Sequence, residues 1–146
     1  RRFRDIRRQV LSQPRDPAVL RGEVRDMREK MRQSLDRSRP GRFDLKQGPG
    51  GIADIEFMVQ YAVLRWANQY PELLDWTANR LLLADLSRLE LLPGQAGEQL
   101  FDAYLALRAA IHRNSLQNEP GMVPDDRLTD SRALVRDLWQ RLMEAD

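Results

Sequence analysis

The run DLKQGPGGIADIEF, from Asp44 to Phe57, packs one lysine, three glycines and a proline against an apolar segment that carries acids. Lys46 is one of two lysines in the chain, the other being Lys30. Gly50 and Gly51 reach backbone angles closed to other residues and leave their N–H groups uncovered. A helix starting at Ile52 would point its unsatisfied N–H groups and positive dipole end out of this loop, which is a recipe for an anion site. Lys46 could place a point charge on the same anion. The pattern is not a Walker loop, in which Lys directly precedes Ser or Thr at the helix start. On residue chemistry alone a Gly-Gly pair before a helix is more often a turn than a phosphate cradle.

The acids that follow are unequal. Asp54 falls in the first helical turn, where the dipole stabilises a carboxylate, and capping is a sufficient explanation. Glu56 lies at the edge of the apolar stripe, one turn before Gln60, and a carboxylate leaning inward needs a partner because burying it unpaired is costly. Arg108 from another helix is one candidate partner, and a group outside this chain is another. His112, four residues after Arg108, is expected on the apolar side of its helix. A lone histidine there is more often hydrogen-bonded packing than catalysis, and no Ser or Cys nucleophile is arranged with it. Asp125, Asp126 and Asp130 lack the spacing of a calcium loop. Trp66, Trp76 and Trp139 are spread as core or interface residues rather than as a base-stacking platform.

These residues need a scaffold, and the composition bounds it. The 146 residues fit one domain, able to bury roughly 70% of the unfolded chain's surface. With 42% hydrophobic and 32% charged residues the chain reads as soluble and globular, with a cytoplasmic location. No run approaches the ~18 consecutive apolar residues of a membrane span, and no signal peptide opens the chain. Cysteine is absent and histidine occurs once, which excludes disulfides and argues against a metal centre built from these ligands. Arg1 in first place suggests a piece of a longer polypeptide. Residues 1–42 hold thirteen Arg and one Lys against six acids, a balance of +8, while the remainder holds ten basic residues against sixteen acids, a balance of −6. Nucleic-acid binding by that basic segment would be strongly salt-dependent, but a solvated helix face is favoured, with Glu29 pairing to Arg32 or Arg25.

Helical periodicity runs through almost the whole chain. Phe3, Ile6, Val10 and Leu11 recur at helical spacing. Asp16 before Pro17 reads as an N-cap with proline at the first helical position, and Val19, Leu20, Val24, Met27, Met31 and Leu35 form one stripe. Ser38 to Gly51 is a loop, with Phe43-Asp44-Leu45 briefly extended. From Ile52 to about Gln69, one stripe runs through Ile52, Ile55, Val59, Ala62, Val63 and Trp66, and a second through Phe57, Tyr61 and Leu64. Two stripes place this helix at the centre. The next helix starts at Thr77 or Asn79. A long helix from about Ala96 to Gln117 carries Phe101, Tyr104, Leu105, Arg108, Ile111 and His112 along one side. Glu119 to Asp126 is a loop, and Thr129 or Asp130 caps a last helix. The expectation is an all-α bundle of five or six helices, with residues 1–42 as a basic helical lead-in and 43–146 as the domain proper.

At DLKQGPGGIADIEFMVQYAVLRWA the chain resembles the bacterial family of bifunctional glutamine synthetase adenylyltransferase/adenylyl-removing enzymes. That family has two nucleotidyltransferase halves, each followed by a helical domain that opens on a segment of this pattern. Asp44, Leu45, Lys46, Gly48, Gly50, Gly51, Ile52, Asp54, Ile55, Glu56, Phe57 and Gln60 occupy it, and Asp54 favours the adenylyltransferase half. LRAAIHRNSLQ, with Leu107, Arg108, His112, Leu116 and Gln117, and the closing VRDLWQRLME are similar as well. The resemblance covers roughly Phe43 to the end. It implies transfer of AMP from ATP, with Mg2+, to a tyrosine of glutamine synthetase, under control of the PII signalling protein and glutamine. It also implies an upstream nucleotidyltransferase domain as neighbour. The family's Gly-Ser turn and Asp-x-Asp metal pair are missing here, so this chain alone is expected to be inactive and to hold neither ATP nor Mg2+ by itself. Lys46, Gly48, Gly50 and Gly51 then become a candidate wall for the nucleotide phosphates, supported by Asp54, Glu56, Gln60, Arg108 and His112. Two other readings stay open. One is an interaction module for PII or glutamine synthetase, without nucleic-acid or membrane partners. The other is the helical domain of a PII uridylyltransferase, whose loop is similar but lacks the IEF continuation.

Overall fold

A computed structural model describes residues 2–11, 13–75 and 78–144. Its helices are α1 (Arg2–Leu11), α2 (Pro17–Leu35), α3 (Ile52–Trp66), α4 (Asn79–Arg88), α5 (Ala96–Leu116) and α6 (Thr129–Trp139). Two short strands, β1 (Arg42–Asp44) and β2 (Met122–Pro124), pair antiparallel with Phe43 opposite Val123. A 3₁₀ turn over Pro71–Asp75 links α3 to α4, and a π-helical turn over Gln140–Glu144 extends α6. The all-α bundle expected from the periodicity is therefore the fold.

Asp16 caps α2 as its position before Pro17 indicates, its carboxylate accepting from the N–H groups of Ala18 at 2.9 Å and Val19 at 3.3 Å. The central helix is α3, which packs against α2, α4, α5 and α6. Both of its expected stripes are used: Ile52, Ile55, Val59, Ala62 and Val63 are buried, and so are Phe57 and Tyr61. Asn79 is the first residue of α4; Thr77, the other expected start, lies outside the described residues, as do Trp76 and the side chains of Phe3 and Leu11.

Three expectations about elements need correction. The expected stripe of α2 splits, because Leu20 and Val24 enter the core while Val19, Met27 and Leu35 are exposed. Its third buried residue is Arg28. In α5 the buried face is Ala96, Gly97, Leu100, Ala103, Leu107 and Ala110, so Arg108 and His112 are exposed. Small residues line that face because α4 crosses it closely: a Cβ on Gly97 would stand 2.9 Å from the Cα of Ser87. The stretch after Glu119, expected to be loop throughout, supplies β2. β1 begins at Arg42, and Leu20 and Val24 of α2 share a core with α3.

Candidate functional site

Asp44 organises the glycine-rich loop. Its Oδ1 accepts from the N–H groups of Lys46 and Gln47, both at 3.0 Å, and its Oδ2 from Arg37 at 3.1 Å. Its own N–H donates to Ser38 Oγ at 2.9 Å, and its carbonyl accepts from Gly48 at 2.9 Å. A short carboxylate that takes up the N–H groups two and three residues on makes an Asx turn. The glycines then occupy places where side chains do not fit. A Cβ on Gly48 would lie 2.5 Å from the Phe43 ring, and one on Gly51 would lie 2.6 Å from the Leu45 carbonyl oxygen. Gly50 has φ +86° and meets α6, its hypothetical Cβ 2.5 Å from the Arg132 carbonyl oxygen.

The helix start itself is satisfied from within. The N–H groups of Gly51, Ile52 and Ala53 donate to the carbonyls of Gly48, Leu45 and Lys46 at 2.8, 3.0 and 2.9 Å. Gly50 donates to Asp54 Oδ2 at 2.8 Å. The sequence suggested that these donors point outward at an anion, whereas they hold the loop closed, with a carboxylate already at the positive end of α3. Lys46 remains as the loop's exposed cation, and its side chain makes no ion pair with any described residue.

Beneath Lys46 lies a buried ion-pair cluster. Arg28 Nε donates to Asp54 Oδ1 at 2.6 Å, and Arg32 Nη2 donates to the same oxygen at 3.0 Å. The remaining reach of Arg28 goes to Gln47, with Nη1 on Oε1 at 3.1 Å and Nη2 on the carbonyl at 2.8 Å. Arg28 is wholly buried and Asp54 nearly so, with side-chain exposures of 0% and 3%. A guanidinium accepts such burial because its planar fork spends its donors on several acceptors at once. Arg32 also reaches Glu29 at 2.9 Å, one of the two pairings expected for that acid. The solvated-face reading of α2 therefore needs correction for its inward arginines, among them Arg25, whose Nη1 donates to the Met143 carbonyl at 2.8 Å. The sequence did hold a signal: position 28 continues the Leu20, Val24 spacing of buried residues.

On the far side, the Arg132 guanidinium lies 3.7 Å from the centre of the Phe43 ring and donates to the carbonyls of Asp125 and Arg127 at 2.7 and 3.0 Å. Burial lowers its pKa, Arg136 lowers it further, and Asp125 works against both.

The residues assigned supporting roles separate. Asp54 joins the loop. Glu56 instead accepts from Asn79 Nδ2 on α4 at 3.2 Å, so neither the pairing with Arg108 nor a hold on the loop is found. Gln60 is exposed on α3, while Arg108 and His112 face outward from α5. Among the described residues no group of three or more His, Asp and Glu side chains could hold a metal ion. The buried carboxylate of the site already serves two guanidiniums, so these residues do not fit Mg2+. No described helix is long and apolar enough to cross a membrane.

A sequence profile described as GlnD PII-uridylyltransferase matches residues 25–143, which takes in α2 from Arg25 onward, the loop and every later helix. The chain belongs to the GlnD PII-uridylyltransferase family. Among its relatives, the bifunctional glutamine synthetase adenylyltransferase/adenylyl-removing enzyme of Nitrosococcus oceani is 47% identical over 142 residues, 97% of this chain. Those of Hahella chejuensis and Pseudomonas putida are 45% and 42% identical, each over 96% of this chain. The chain spans only 15–16% of the length of these relatives. The resemblance drawn from the DLKQGPGGIADIEF motif is thus shown, and it extends across the basic lead-in, where the sequence alone was least distinctive.

Proposed function

We propose that this chain is the helical domain that follows the nucleotidyltransferase domain in the adenylyltransferase half of a longer enzyme. That enzyme would transfer AMP from ATP to a tyrosine of glutamine synthetase. The chemistry and the magnesium would reside in the preceding domain, because the Asp54 carboxylate is already taken by Arg28, Arg32 and the Gly50 N–H. The observation that carries the reading is identity of 42–47% over nearly the whole chain to relatives that bear this name.

Within that enzyme the loop would form one wall of the active-site cleft. Asp44 and the glycines shape it, and Lys46, held on a backbone fixed from both sides, offers an ammonium group to the nucleotide phosphates. A preorganised cation aimed at developing negative charge acts chiefly on the transition state. Replacing Lys46 by Ala in the full-length enzyme is therefore expected to lower kcat for AMP transfer on the order of 10²-fold. Unchanged steady-state kinetics would overturn the role of Lys46. Gln60, Arg108 and His112 lie apart from this loop, and as exposed groups they are open to the neighbouring domain, glutamine synthetase or PII.

A second reading rests on the family description itself, which names a PII-uridylyltransferase. The two part on the nucleotide and the acceptor: AMP onto glutamine synthetase, or UMP onto PII.

A further inference from the structure

The basic lead-in and the glycine-rich loop are joined through one buried side chain. Arg28 on α2 spends its fork on both flanks of the loop's second half. Nη1 and Nη2 hold Gln47, the residue next to Lys46, at 3.1 and 2.8 Å, while Nε holds Asp54 at 2.6 Å. Asp54 in turn takes the N–H of Gly50 at 2.8 Å, so the segment 47–50 is pinned at each end by a group that answers to Arg28. On the other flank Asp44 fixes the N–H of Lys46 at 3.0 Å. The Lys46 backbone is thus held by Asp44 and, through its carbonyl, by the Ala53 N–H, and the residue after it is held by a helix that precedes the loop in sequence. The other inward cations of α2 do not share this role: Arg25 reaches the C-terminal turn at Met143, and Arg32 touches Asp54 without reaching Gln47.

We propose that Arg28 is a positioning residue that couples the placement of α2 to the placement of the Lys46 ammonium group. The inference rests on the reading of Lys46 as a phosphate-facing cation. It adds a direction of control, because a displacement of α2 would pull Gln47 and Asp54 through the same guanidinium. Lysine at position 28 could keep the charge opposite Asp54, but a single ammonium cannot span Asp54 and both oxygens of Gln47. The loop would then relax while the charge count stayed unchanged.

A double-mutant cycle in the full-length enzyme tests this, with AMP transfer from ATP to glutamine synthetase as the readout and circular dichroism melting as the control for folding. Arg28→Lys is expected to lower kcat at least roughly 10-fold, and by no more than Lys46→Ala does, with KM for glutamine synthetase unchanged, since misplacement of a catalytic group by about an ångström can cost up to about 10²-fold. In the Lys46→Ala background the same substitution is expected to cost no further activity, because the group it positions is gone. A loss that multiplies with that of Lys46→Ala, or a folded Arg28→Lys enzyme with full activity, overturns the positioning role and leaves the role of Lys46 standing. A Lys46→Ala enzyme with unchanged kcat overturns both. If Arg28→Lys fails to fold, Gln47→Ala, which removes only the Nη1 acceptor, takes its place in the cycle with the same expectations.

Discussion

At the scale of single residues, Asp54 and Arg28 form the most deeply buried ion pair among the described residues. Two arginines converge on one carboxylate oxygen, and one of them is wholly enclosed. Removing the acid strands Arg28 as a buried charge without a counter-charge, which typically costs about 3–5 kcal/mol. Asp54→Ala is accordingly expected to lower the unfolding free energy of the chain by that amount in urea titrations; a loss below about 1 kcal/mol would show that water reaches Arg28 freely. The sequence pointed to a buried, paired acid in this helix but suggested Glu56, because on a helical wheel Glu56 sits nearer the apolar edge. The partner decided the matter. Arg28 lies 26 residues upstream, and nothing local to α3 announces it. What was legible in the loop was its glycine content; which atoms those glycines must avoid depends on Phe43, Leu45 and Arg132, brought there by the fold.

At the scale of elements, helices with large apolar residues on their buried face were readable and those with small ones were not. The two stripes of α3 are built from Ile, Val, Phe and Tyr and predicted its central place. The inner face of α5 is built largely from Ala and Gly; of the side that hydropathy picked out, Phe101, Tyr104 and Ile111 pack partly buried against the core, while Leu105 is exposed, so the pattern missed the small-residue centre of the face. Close helix crossing favours small side chains over oily ones, and a pattern of apolar residues does not record how near a neighbour comes. Gly97→Val tests that account: its Cβ would press on the backbone of Ser87, and overpacking of this kind costs about 1–3 kcal/mol. A melting temperature equal to that of the parent chain would mean that α4 and α5 can part without penalty. The β1–β2 pair was half visible, since Phe43-Asp44 read as extended, but a three-residue partner ending in Pro124 gives no periodicity to find.

At the scale of the whole molecule, the charge balance of +8 before residue 43 and −6 after it looked like a solvated basic helix beside an acidic domain. In the structure the two parts meet through Arg25, Arg28 and Arg32, so part of the basic charge serves to hold α2 to α3, through Arg28 and Arg32, and to the π-helical turn after α6, through Arg25. The chain is a small share of the length of the relatives it matches, and its likeness to them runs along nearly all of its own length. Its proposed role is in AMP transfer to glutamine synthetase. The direct measurement offers the full-length enzyme ATP with glutamine synthetase and, separately, UTP with PII, and follows the labelled nucleotide into protein. Label is expected on glutamine synthetase from ATP and not on PII from UTP. Label on PII from UTP, with glutamine synthetase untouched, would contradict that role.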